Sequence, residues 1–133
     1  MSSRHLLDTA LLVVVLAFAG CATAPSTVCD RLYFGRVIPS GGEVTEAQWN
    51  AFVTEIIVPR FPQGFTVYNS SGHWKGDDGI GVSEQSCVLE VVHGSDPAAD
   101  IKLEEIALAY RLRFNQEAVI RVRTPSEQTI WRR

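Results

Sequence analysis

The run from Ser86 to His93, SCVLEVVH, decides the fold. It is the longest β-type stretch in the chain and reads as a central strand. Just beyond it, Asp96-Pro97 offers a helix N-cap with proline at the first helical position. Leu103, Ile106, Ala107, Tyr110 and Phe114 then recur at helical spacing and mark the apolar stripe of a second helix. Ala118 to Arg123 (AVIRVR) is the last strand, ended by Pro125.

Upstream, Asp30 to Ile38 (DRLYFGRVI) is a first strand, closed by Pro39-Ser-Gly-Gly42. Thr45 stands as an N-cap with Gln48 three residues on, the spacing of a capping box. Trp49, Phe52, Val53 and Ile56 share one face of that helix, which Pro59 stops. Gly64 to Asn69 is a strand, Ser70-Ser-Gly72 a turn, and His73-Trp74-Lys75 the arm of a hairpin before the Gly/Asp-rich loop 76–81. The order is β-α-β-β-α-β. It predicts an α+β, ferredoxin-like domain over residues 30–125: a four-stranded antiparallel sheet, strand order 4-1-3-2, with two helices on one face. Residues 126–133 are expected to form a tail.

That arrangement leaves one sheet face open. Alternation puts Leu32, Phe34 and Ile38 toward the helices, and Arg31, Tyr33 and Val37 outward. Val88, Glu90 and Val92 are expected outward on the central strand, and Arg121 and Arg123 on the last, because charge is costly in a core. Such a mixed face, part aliphatic and part charged, predicts a cover: a second copy of the chain, a ligand or a partner.

The chain has 133 residues and a formal net charge of −3. A mildly acidic chain argues against general nucleic-acid binding, which needs a basic face. Arg4-His5, the apolar run Leu11–Ala19 and Gly20-Cys21 read as a secretory signal over residues 1–20, too short to span a membrane, which takes about 20 apolar residues. Phe18-Ala-Gly-Cys21 resembles the lipobox of bacterial lipoproteins, with Phe18 in place of the usual Leu. That resemblance implies acylation of Cys21, a tether over 21–29 and, with Ala22 rather than Asp following, attachment to the periplasmic side of the outer membrane. The lipid would be the only membrane contact.

No catalytic motif is present. His73, Trp74 and Lys75 form the one local group with chemical potential, an acid/base group beside a stacking platform, with Asp77 and Asp78 following. A calcium loop would need a terminal Glu at position 88, which is Val, so no metal site is expected; no cofactor is expected either. His93 has no companion at ligand spacing and reads as structural. Arg121 and Arg123 are candidates for binding a carboxylated or phosphorylated ligand. After Cys21, Cys29 and Cys87 remain, but the expected strand register sets them roughly 20 Å apart, beyond the reach of about 7 Å that a disulfide needs. Free thiols are expected.

Leu32-Tyr-Phe-Gly35, Val44-Thr-Glu-Ala-Gln-Trp49, Pro59-Arg-Phe-Pro-Gln-Gly-Phe-Thr-Val67, Gly72-His-Trp74, Asp96-Pro-Ala-Ala99 and Tyr110-Arg-Leu-Arg-Phe-Asn-Gln-Glu-Ala-Val119 together resemble the bacterial family known as domain of unknown function 3574. The resemblance implies a small exported protein, often a lipoprotein, and supplies no catalytic residue. The expected function is therefore a non-enzymatic, lipid-anchored envelope module that forms a homodimer or binds a partner through its open face, with Tyr33 in the contact. The alternative is a small-ligand binder or enzyme resembling the dimeric ferredoxin-like monooxygenases, with His73, Trp74 or His93 lining a pocket between sheet and helices.

Overall fold

The computed structural model describes residues 27–75 and 79–133. The signal segment, Cys21, and Asp77 with Asp78 lie outside them. Strand β1 (Thr27–Gly35) leads to helix α1 (Glu46–Phe52), whose chain continues through a π-helical turn, Val53–Ile57. Strands β2 (Thr66–Lys75) and β3 (Gly81–Gly94) form a hairpin, followed by α2 (Pro97–Phe114) and β4 (Ile120–Pro125). The sheet is antiparallel, in the order β2-β3-β1-β4. This is the ferredoxin-like arrangement that the alternation of strand and helix signals predicts.

Local signals set the elements. Thr45 caps α1: its hydroxyl accepts from the Gln48 N–H while the Gln48 side chain accepts from the Thr45 N–H at 2.9 Å. Asp96 caps α2, its Oδ1 accepting from the Ala99 N–H at 2.9 Å, with Pro97 following. Asn115, at φ 49°, ends α2 in the left-handed conformation that asparagine tolerates. The π turn inserts a residue into the helical face, so Ile57 is fully buried where α-periodicity points to Ile56.

The core lies between the helices and one sheet face. Phe34, Trp49, Phe52, Tyr110 and Phe114 meet with ring centroids 4.8–6.2 Å apart, mostly tilted or edge-on, as aromatic quadrupoles prefer. The Tyr110 hydroxyl donates to the Gly35 carbonyl at 2.9 Å, so it is buried without being orphaned.

Several boundaries differ from the sequence reading: β1 ends at Gly35 and not Ile38, and β3 starts at Gly81, five residues before Ser86. β1 begins at Thr27, because Val28 and Cys29 pair with His93 and Val92; these residues are rungs of the sheet and not tether. Ser70-Ser-Gly72 is not a turn: β2 runs straight through it, opposite Ser86, Gln85 and Glu84. The last strand sits two residues later, at Ile120–Pro125. The cysteines are free, as expected. Cys29 pairs with Val92 and Cys87 with Phe34, which also puts them on opposite faces of the sheet.

Candidate functional site

The register fixes what each face presents. On the open face, successive rows across the strands read Thr66–Glu90–Arg31–Val122, then Tyr68–Val88–Tyr33–Ile120, then Ser70–Ser86–Gly35, then Gly72–Glu84. Large side chains fill the first two rows. Val88, on the central strand between Tyr33 and Tyr68, has no exposed surface at all. In the next two rows the side chains shrink to Ser, Gly and Gly, and the sheet surface sinks.

That sunken end is a trough of about 680 Å3. Gly35, Ser86 and Gly72 lie along its floor, and Tyr33 and Ile120 stand at one end with Val82 at the other. Its two walls are the segment after β1, with Val37 and Pro39, and the segment before β4, from Gln116 to Ala118. The Gln116 amide donates to the Val37 carbonyl at 2.8 Å and ties the walls together. This trough therefore lies on the far side of the sheet from the helices, not between sheet and helices. On the helix side the aromatic core fills the space beneath α1, and only a smaller cavity beside His93, between β3 and α2, is left.

Glu84 supplies the trough's half-buried carboxylate. A Cβ built on Gly35 would come within 2.5 Å of its Oε1, so the missing side chain of Gly35 is what makes room for the carboxylate. Among the described residues the Glu84 carboxylate has neither ion pair nor hydrogen bond. Glu90, on the same strand and face, is instead held by the Arg31 guanidinium at 2.6 Å.

The helix face carries the opposite treatment of charge. Asp30 has no exposed surface, and two arginines and a histidine converge on it. Arg121 donates from Nε and Nη2 at 2.7 and 2.9 Å, Arg123 donates from Nη2 at 2.9 Å, and His93 Nε2 lies 2.7 Å away. Asp100 of α2 closes the cluster by pairing with both arginines. Burial by itself would raise the Asp30 pKa, but the hydrogen bonds from Arg121, Arg123 and His93 outweigh it and hold the carboxyl well below the usual range.

This overturns one expectation. Arg121 and Arg123 do not face outward: paired with Leu32 and Asp30, they share the helix face, and Ile120 and Val122 take the open side. The rule that charge avoids the core failed because Asp30 is also there, so the arginines are neutralised in place. Of the other candidates, Tyr33 and His73 line the trough. Trp74 pairs with Val82 in the β2–β3 hairpin. His93 belongs to the Asp30 cluster and borders a second, smaller cavity of about 310 Å3 with Phe61 and Lys102. Among the described residues no group of three His, Cys, Asp or Glu side chains is placed to hold a metal, and no helix is long and apolar enough to cross a membrane.

Residues 29–130 match the family described as Protein of unknown function (DUF3574). The chain belongs to that family. No curated protein matches it. Among solved structures, a phage SAM lyase in complex with S-methyl-5′-thioadenosine is similar at 18% identity and a TM-score of 0.57, over 77% of this chain and 83% of its own. The same enzyme in its apo state gives 18% and 0.56, over 77% and 82%. At that identity the likeness is one of fold. The family match in this DUF3574 member runs from Cys29, inside β1, to beyond the end of β4.

Proposed function

We propose that this DUF3574 domain is a small-molecule-binding module held at the cell envelope, and that the open-face trough is its binding site. The trough carries the reading. Its volume lies in the range of ligand sites, and a mostly apolar lining with a few convergent polar groups (Glu84, Ser86, Gln116) is their usual make-up. Anchorage through acylated Cys21 is part of the proposal and rests on the lipobox-like Phe18-Ala-Gly-Cys21. Five residues lie between Cys21 and the start of β1 at Thr27, six Cα steps with a reach of about 20 Å, so the domain would work close to the membrane surface.

The fold likeness to a SAM lyase favours an enzymatic variant of this reading and makes S-methyl-5′-thioadenosine the first compound to try. The test is native mass spectrometry of the full chain in a non-ionic detergent, incubated with that nucleoside and separately with a bacterial small-molecule extract. A one-to-one complex that Ser86→Trp abolishes supports the trough as the site. An adduct indifferent to Ser86→Trp, or none from either source, overturns it.

A second reading, pairing of two copies through the open face, is favoured by Ile120, Tyr68 and Val122, which are 63%, 41% and 40% exposed on that face. Ile120→Asp and Tyr33→Asp test it by the oligomer mass. Val88→Asp does not, because Val88 is buried and the change would disturb the sheet itself.

A further inference from the structure

Resting on the trough reading, we infer that the ligand is a small organic cation with an apolar body and that Glu84 is its counter-ion. Three observations converge. The trough is lined by two carboxylates, Glu84 and Glu117, with one histidine, His73, and among the described residues by no lysine or arginine. Its electrostatic complement is therefore positive.

The second observation is that Glu84 is left over. Carboxylates that lose water need compensation from a cation or from donors. The fold provides this elsewhere: Asp30 and Asp100 share two arginines, and Glu90 has Arg31. Glu84 alone of these sits half-buried against the trough with nothing supplied from the described chain. A bound cation would supply what the protein does not.

The third is placement. Gly35 vacates the space that Glu84 Oε1 occupies, and Gly35 is in turn held from the helix side by the Tyr110 hydroxyl on its carbonyl. The carboxylate is thus seated over a fixed point of the sheet. Around it, Tyr33, Val37 and Ile120 offer apolar surface for the rest of the ligand, and the face of the Tyr33 ring suits a cation as well.

The inference separates three probes of nearly one shape: tryptamine, cationic at neutral pH; tryptophol, neutral; and indole-3-acetate, anionic. Each is titrated into the isotope-labelled full chain in a non-ionic detergent, with the amide resonances of Gly35, Ser86 and Gln116 reporting the trough. Tryptamine is expected to bind about tenfold or more tighter than tryptophol, the worth of a hydrogen bond to an ionised group, with indole-3-acetate weakest. Glu84→Gln should bring tryptamine down to tryptophol's affinity, with resonances outside the trough unchanged to show that the fold is intact. Equal binding of all three, or a tryptamine preference that survives Glu84→Gln, overturns the cation inference and leaves the trough standing. Saturable shifts at none of the trough resonances with any probe overturn both.

Discussion

Asp30 and Glu84 are carboxylates on the two faces of one sheet, and the fold treats them in opposite ways. Asp30 is sealed between the sheet and α2, with two arginines and a histidine aimed at it. Glu84 borders a trough and has no cation from the described chain. A buried charge that is completely satisfied belongs to the architecture: it fixes β4 against β1 and α2, and offers nothing to a ligand. A half-buried charge left without a partner is an unspent interaction, and such groups gather where something else binds.

The comparison breaks first at Asp30. Asp30→Ala removes the buried acceptor that gathers Arg121, Arg123 and His93 and leaves Asp100 as the one carboxylate facing two arginines, at a cost of about 3 kcal/mol. Arg121 and Arg123 keep partial access to solvent, which holds the loss to the low end for a broken buried pair. Urea denaturation at neutral pH measures it, and an unchanged midpoint would mean that the cluster is ornamental. The same groups set the acid limb of stability. Asp30 and Asp100 both titrate below their ordinary range when folded, Asp100 because Arg121 and Arg123 donate to it. Their contribution is complete above the unfolded carboxylate pKa of about 3.9 and is lost as the pH falls below it toward the folded-state values. Asp30→Asn should therefore flatten the decline in stability between pH 4 and pH 2, an effect visible in parallel denaturation series (about two pH units wide).

Much of this was legible in advance, and the exceptions have physical causes. The capping residues Thr45 and Asp96, the stripe from Leu103 to Phe114 and the β-branched run at Val88–Val92 each carry a local signal that tertiary contacts did not override. The placement of Arg121 and Arg123 was not local. It depends on Asp30, which alternates with Leu32 and Phe34 and so had to lie on the helix face, and on a β4 register that sets Arg123 opposite it. Reading outward from Asp30, a buried acid in search of cations, would have found the pair. The trough was hidden for a different reason. It is made by what is missing, at Gly35, Gly72 and Ser86, and by a β2 strand that continues where Ser70-Ser-Gly72 suggested a turn. A glycine inside the first strand was the available sign of a close approach.

The thiols sharpen the contrast between faces at smaller amplitude. Cys87 lies in the core, and burial pushes its pKa up to about 11, so little thiolate forms near neutrality. Iodoacetamide should leave Cys87 unlabelled in the native chain and label it once urea unfolds the domain, which peptide mass spectrometry resolves. Native labelling at a rate like that of a free thiol would contradict the packing around Phe34.

The smallest stability effect is expected at the trough, and there the contrast is most exposed. Glu84→Gln removes a charge that no described residue answers, so the stability change should stay within about 0.5 kcal/mol. Gly35→Ala is the sharper probe. Its new methyl would meet Glu84 Oε1, the far end of a flexible side chain that can swing aside, so the fold absorbs the change. The unfolded chain also loses freedom with alanine in place of glycine, a gain to the native state of about 0.4–1 kcal/mol that offsets the displacement. Both variants should thus unfold close to the wild type, yet Gly35→Ala should weaken tryptamine binding in the manner of Glu84→Gln, because it unseats the same carboxylate without removing it. If Gly35→Ala instead costs several kcal/mol, then Gly35 serves the backbone of the sheet and not the seating of Glu84. Asp30 and Glu84 would then differ only in depth, and not in purpose.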